Sequence, residues 1–144
     1  MNDLLHNPIL WKVILVMILV QVIKFVWHIL KKRKWDFRVL FRTGGMPSSH
    51  TASVMALSTL VGRHEGFDSS LFAVTMFFSL IVMYDAAGVR RAAGKQAAVI
   101  NKIIDELKIE HKVGTKRLAE LLGHTPVEVL VGAILGIGLA LIMD

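Results

Sequence analysis

The chain has 144 residues, 54% of them apolar, and no cysteine. That length allows one domain, and the apolar content excludes a disordered chain; the missing cysteine excludes a disulfide framework and a thiol nucleophile. Charged residues make up only 19%, yet 17 Lys and Arg against 11 Asp and Glu leave a net charge of +6.

The apolar residues fall in blocks. Ile9–Leu30 is almost all Val, Ile, Leu and Met, interrupted by Lys12, Gln21 and Lys24. A bilayer core of about 30 Å takes about 20 such residues as a helix, so this block predicts a span near 9–30. It does not read as a cleaved signal. The run is too long, Asp3 precedes it with no early Lys or Arg, and no small-residue cleavage site follows. Three shorter blocks predict spans near 47–63, 69–86 and 126–143, close to the lower limit of about 17 residues. Short spans thin the bilayer or sink a site at one helix end. Between the last two, Gln96–Ile109 carries Ile100, Ile103, Ile104 and Leu107 at helical spacing, opposite Lys102, Asp105 and Glu106. That pattern predicts an amphipathic helix lying on the inner leaflet or across the ends of the bundle. The expected architecture is all-α: a polytopic membrane helix bundle, one domain over residues 1–144, with four transmembrane helices and a cytoplasmic amphipathic helix at 96–109.

The cations orient the bundle. Lys31–Arg42 and Arg90–Arg117 together hold 14 of the 17 Lys and Arg residues. Four spans put both segments on one side, and the positive-inside rule makes that side cytoplasmic, with both termini outside. The expected location is the cytoplasmic (plasma) membrane.

Three polar clusters remain, each at the cytoplasmic end of a span: Gly44–His50 entering the second, Tyr84–Arg91 leaving the third, and Gly123–Glu128 entering the fourth. Polar clusters at membrane depth are costly and mark function. Capping competes with that interpretation. Ser48 or Ser49 can N-cap the second span, and Thr125-Pro126-Val127-Glu128 fits a capping box with Pro at the first helical position. Arg90 and Arg91 can serve as topology charges alone. Capping leaves His50 and His124 unexplained, since histidine is a poor cap. Phosphate chemistry explains them. Helix N-termini bind anions, Gly44 and Gly45 let backbone approach, and Arg clamps phosphate. One histidine can attack phosphorus while another protonates the leaving oxygen. Glu128, one turn beyond His124, can orient its ring. Zinc-protease, CxxC, Walker and GxGxxG patterns are absent.

Met46-Pro47-Ser48-Ser49-His50, Tyr84-Asp85-Ala86-Ala87-Gly88-Val89-Arg90 and Leu121-Leu122-Gly123-His124-Thr125-Pro126-Val127-Glu128, in that order, resemble the divergent PAP2 family. Its members are small membrane proteins related to acid phosphatases and vanadium haloperoxidases. The resemblance implies His124 as nucleophile, Glu128 as its partner and His50 as general acid. It implies phosphate binding by Lys24, Ser48, Ser49 and Arg90, with Gly45, Arg42 and Asp85 in support. Ser49 stands where the PAP2 motif has Gly, and Glu128 where it has Asp.

The function these residues imply is a lipid phosphatase acting on a lipid phosphate or diphosphate through a phosphohistidine at the cytoplasmic face. It needs no metal and no other cofactor. The alternatives are a binder or transporter of phosphorylated lipid without turnover, and a scaffold whose basic loops hold anionic lipid. Expected partners are the phosphorylated lipid and the surrounding membrane lipids, with no nucleic acid. Gly132-x-x-x-Gly136 permits close helix contact, either with a second copy as a homo-oligomer or within the monomer.

Overall fold

The computed structural model describes residues 5–33, 35–37, 45–110 and 123–144. Five helices account for most of them: α1 (Pro8–Lys32), α2 (Ser49–Glu65), α3 (Ser70–Ala87), α4 (Val89–Glu110) and α5 (Pro126–Met143). No strand occurs among the described residues. The helix starts follow capping chemistry. Asn7, Ser48, Ser69 and Thr125 each accept a first-turn N–H through the side chain, and Pro8 and Pro126 follow as first helical residues. Arg33 closes α1 in the left-handed conformation, its N–H on the Ile29 carbonyl at 2.7 Å.

Among the described residues, three helical stretches are long and apolar enough to cross a membrane: Pro8–Lys31, Ser70–Glu106 and Pro126–Met143. α2 is the run expected near 47–63. It is rich in Ser, Thr and Ala, and much of it is buried, because α1, α3 and α5 all pack on it. A helix screened by its neighbours has no need of an apolar surface, so its sequence carries a weaker membrane signal.

Contacts at both ends give the helix directions. Gly132 lies against Ser48, and Asp144 pairs with Arg63, so α2 and α5 run side by side and parallel. Lys12, early in α1, lies 3.5 Å from Asp144, whereas Lys24 senses the charge of Glu128; α1 is therefore antiparallel to them. α3 is antiparallel as well. Its Ser79 bonds the Ser58 hydroxyl at 2.8 Å and the Val54 carbonyl at 2.9 Å, and its Ala86 carbonyl reaches His124. α2, at about 1.5 Å per residue, covers the same depth as α5 within about two residues.

The α2–α5 contact uses the GxxxG pair. A Cβ on Gly132 would come within 2.6 Å of the Ser48 carbonyl oxygen, and one on Gly136 would overlap the Ala52 backbone. Of the two uses the sequence leaves open for this motif, the structure gives packing within the chain. Below it, Val16, Val20, Ala52, Ala56, Leu60 and Ala140 form the apolar core. Outward residues such as Leu15, Ile18, Phe77, Ile81, Leu130 and Ile134 are exposed, as a lipid-facing surface requires. At the far end, Asp144 ties α5 to Arg63, to Lys12 and to His64 (3.3 Å). The hydrogen bond from Arg63, with Lys12 adding to it, holds the Asp144 carboxyl below the usual carboxylate range.

The amphipathic helix expected at 96–109 lies within α4, which begins seven residues earlier. Gly88 caps α3 with its N–H on the Tyr84 carbonyl, and its own carbonyl accepts the Ala92 N–H at 2.9 Å. One residue therefore ends α3 and starts α4.

Candidate functional site

Four elements meet at the end of the bundle opposite Asp144. α2 and α5 begin there; α1 and α3 finish there. Two helix N-termini thus bring their unsatisfied N–H groups and positive dipole ends to one level.

His124 sits two residues before α5 and is 5% exposed. Gly123, at φ 88°, turns the backbone in a way a side chain resists. The His124 N–H then donates to the Ala86 carbonyl at 2.9 Å, binding this turn to the end of α3. Its ring Nδ1 lies 3.3 Å from Glu128 Oε2. The same oxygen accepts the Thr125 N–H at 3.0 Å, while the Glu128 N–H donates to Thr125 Oγ1 at 3.3 Å. Capping and holding the histidine, alternatives in the sequence, are here two contacts of one carboxylate oxygen. Burial pushes the His124 imidazole below the usual histidine pKa. The Glu128 charge opposes this, while Lys24 and His50 add to it.

Lys24 is 5% exposed and continues the inner stripe of α1 after Val16 and Val20. It lies within electrostatic reach of both Glu128 and His124. Gly45 makes room for it. A Cβ there would stand 3.3 Å from Lys24 Cε, and φ is 88°.

Ser48 and Ser49 are both buried, and Ser48 is the cap. The Ser48 N–H donates to the Glu128 carbonyl at 3.3 Å, tying the starts of α2 and α5 together. Ser48 Oγ accepts both the Thr51 N–H (3.4 Å) and the Thr51 hydroxyl (3.1 Å). With both lone pairs used, its hydroxyl has a proton to offer. His50 is exposed on the first turn of α2 and interacts with His124 through charge. Asp85 is half-buried, next to the Ala86 whose carbonyl holds His124. Arg90 is the second residue of α4; its side chain, and Arg42 with Gly44, lie outside the described residues. Among the described residues, no group of three or more His, Asp or Glu side chains is placed to hold a metal ion.

Two participants escape a reading of motifs. The Ala86 carbonyl acts through backbone, for which the residue type carries no signal. Thr51 follows the Met46–His50 motif; only its three-residue spacing from Ser48, the spacing of a cap bond, marks it.

A bundle of apolar helices with a buried histidine, its half-buried glutamate partner and a buried lysine at one end defines a helical membrane protein with a candidate anion site. The sequence pattern of the Divergent PAP2 family matches residues 5–139, and the chain belongs to that family. It is 46% identical, over an alignment of 152 residues, to an uncharacterized membrane protein of Bacillus subtilis (strain 168), YuiD; the match covers 98% of this chain and 96% of that protein. No solved structure matches.

Proposed function

We propose that this protein is a membrane lipid phosphatase acting on a phosphate or diphosphate headgroup at the cytoplasmic face. The observation that carries this reading is buried His124 paired with half-buried Glu128 at the common start of α2 and α5, with Lys24 in charge range. Glu128 engages Nδ1, so Nε2 is the ring nitrogen left for attack. Burial favours the neutral ring, which keeps that lone pair available. Nε2 attacks phosphorus, forming the P–N bond as the bond to the lipid oxygen breaks. His50 gives that oxygen its proton. Lys24, the hydroxyl of Ser48, the N–H of Ser49 and Arg90 neutralise the equatorial oxygens. Water then attacks the phosphohistidine, losing its proton to His50, and inorganic phosphate leaves. Gly45, Arg42 and Asp85 support the phosphate end of the site.

The test is phosphate release by purified protein from phosphatidate, phosphatidylglycerophosphate and a polyprenyl diphosphate. His124→Ala is expected to abolish release while lipid binding survives, and vanadate, a five-coordinate mimic, is expected to inhibit. Equal release by wild type and His124→Ala overturns the mechanism. Binding without release by the wild type makes the protein a binder or transporter of phosphorylated lipid.

A further inference from the structure

The proposed chemistry leaves α4 unused, and α4 has an unusual surface. Gly94, Ala97 and Asn101 are buried and fall within about 60° of arc. Three large apolar residues face the other way. Val99, Ile100 and Ile103 are 60%, 44% and 49% exposed, within about 100° of arc, beyond the apolar run of α3. Beside this stripe runs a basic row. Arg91, Lys95 and Lys102 are all exposed and fall within about 40° of one another. The helix thus buries its small residues and presents large apolar ones flanked by cations.

From this juxtaposition we infer that the Val99–Ile103 face of α4 docks onto the anionic surface of the bilayer, with Arg91, Lys95 and Lys102 on lipid phosphates. A leaflet offers these two chemistries side by side, acyl chains just beneath anionic headgroups. A second copy meeting this face across a twofold axis would set cations against cations. Glu106 is exposed on α4 but lies 4.0 Å from Lys102 of the same helix, which blunts it as a partner for another chain. α4 starts one residue after Gly88, which closes the helix whose Ala86 holds His124. The surface therefore gathers anionic lipid beside the candidate site. It does so whether or not that site turns over, so the inference stands apart from the phosphatase reading.

The cysteine-free chain makes the test direct. Single cysteines at Val99, Ile103, Ala97 and, as a control, Ser69 carry an environment-sensitive fluorophore. The labelled proteins are reconstituted in phosphatidylcholine vesicles, with and without phosphatidylglycerol. Emission at 99 and 103 is expected to shift to the blue as phosphatidylglycerol is added, and to be quenched by lipids labelled near the headgroup. Emission at 97 and 69 is expected to ignore lipid charge. Neutralising Arg91, Lys95 and Lys102 to Gln weakens the response by about fivefold per charge. The inference fails if 99 and 103 stay in water at every composition, or are shielded equally without anionic lipid. It also fails if their shielding follows the protein-to-lipid ratio, the mark of a second copy.

Discussion

Glu128 Oε2 receives the Thr125 N–H and faces His124 Nδ1 at once. One atom therefore links the start of a helix to the state of an imidazole. Glutamine can replace it as an acceptor but brings no charge. Glu128→Gln is expected to leave thermal stability almost unchanged and to lower turnover by about 10². The pH profile adds a second readout. Glu128 raises the His124 pKa against burial, so removing its charge lowers that pKa further. Activity that needs the neutral ring is lost as pH falls through this pKa, and the acid limb of kcat/KM shifts to lower pH in the variant. Thr125→Ala should do the reverse, losing about 1 kcal/mol of stability and keeping its chemistry. A Glu128→Gln enzyme with full activity and an unmoved acid limb leaves Glu128 with capping alone. At this scale the sequence was legible where side chains make the contacts. His124 and Glu128 stand one helical turn apart, and the cap consensus surrounds them. Lys24 was marked only by the family resemblance; the structure adds that it follows Val16 and Val20 at four-residue spacing on the buried stripe of α1. The Ala86 carbonyl was not legible, because any residue supplies one.

Among the helices, the decisive contact is α2 on α5, and it depends on two missing side chains. Gly136 faces the Ala52 backbone, where a Cβ has no room, while Gly138 has nothing within 4 Å of the same position. Gly136→Ala must push the two helices apart along their shared core. It is expected to cost about 1–3 kcal/mol, read by thermal unfolding in detergent. Gly138→Ala, two residues away on the same helix, is expected to be neutral or to gain up to about 1 kcal/mol from lost backbone freedom. Equal effects at both positions would mean that helix propensity, not the α2 contact, sets the response. The long apolar helices α1, α3 and α5 were plain from hydropathy, since lipid demands apolar side chains around most of their surface. α2 was less plain because its surroundings are protein. Its Ser58 bonds Ser79 and its Ala52 meets Gly136, contacts that reward small and hydroxylated residues. α4 was read from its Ile spacing as amphipathic. The structure adds that the small-residue face is the buried one and that Ile100 and Ile103 point outward.

The whole molecule has two unlike ends. One gathers His124, Glu128, Lys24 and the starts of α2 and α5. The other closes on Asp144, bound by Arg63, Lys12 and His64. Convergence of the three polar motifs at one end followed from counting spans, because an antiparallel order returns every second helix end to the same level. Which end faces the cytoplasm is a separate matter, and it turns on charge. The segments Lys31–Arg42 and Arg90–Arg117 hold 14 of the 17 cations. The positive-inside rule acts on such short basic segments. Both begin at the end of the candidate site, since the first starts in the last turn of α1 and the second in the first turn of α4. The proposal therefore sets the site inside and the Asp144 end outside. Single cysteines at Ser69 and Thr115 test it with a membrane-impermeant thiol reagent on intact cells. Ser69 caps α3 at the Asp144 end and should react; Thr115, in the second basic segment, should react only after the cells are opened. The opposite pattern would turn the site to the outer face, and the cations would no longer account for the orientation. It would also change the chemistry expected of the substrate. The phosphate would then have to come from lipid of the outer leaflet, and the basic row of α4 would lie against that leaflet instead.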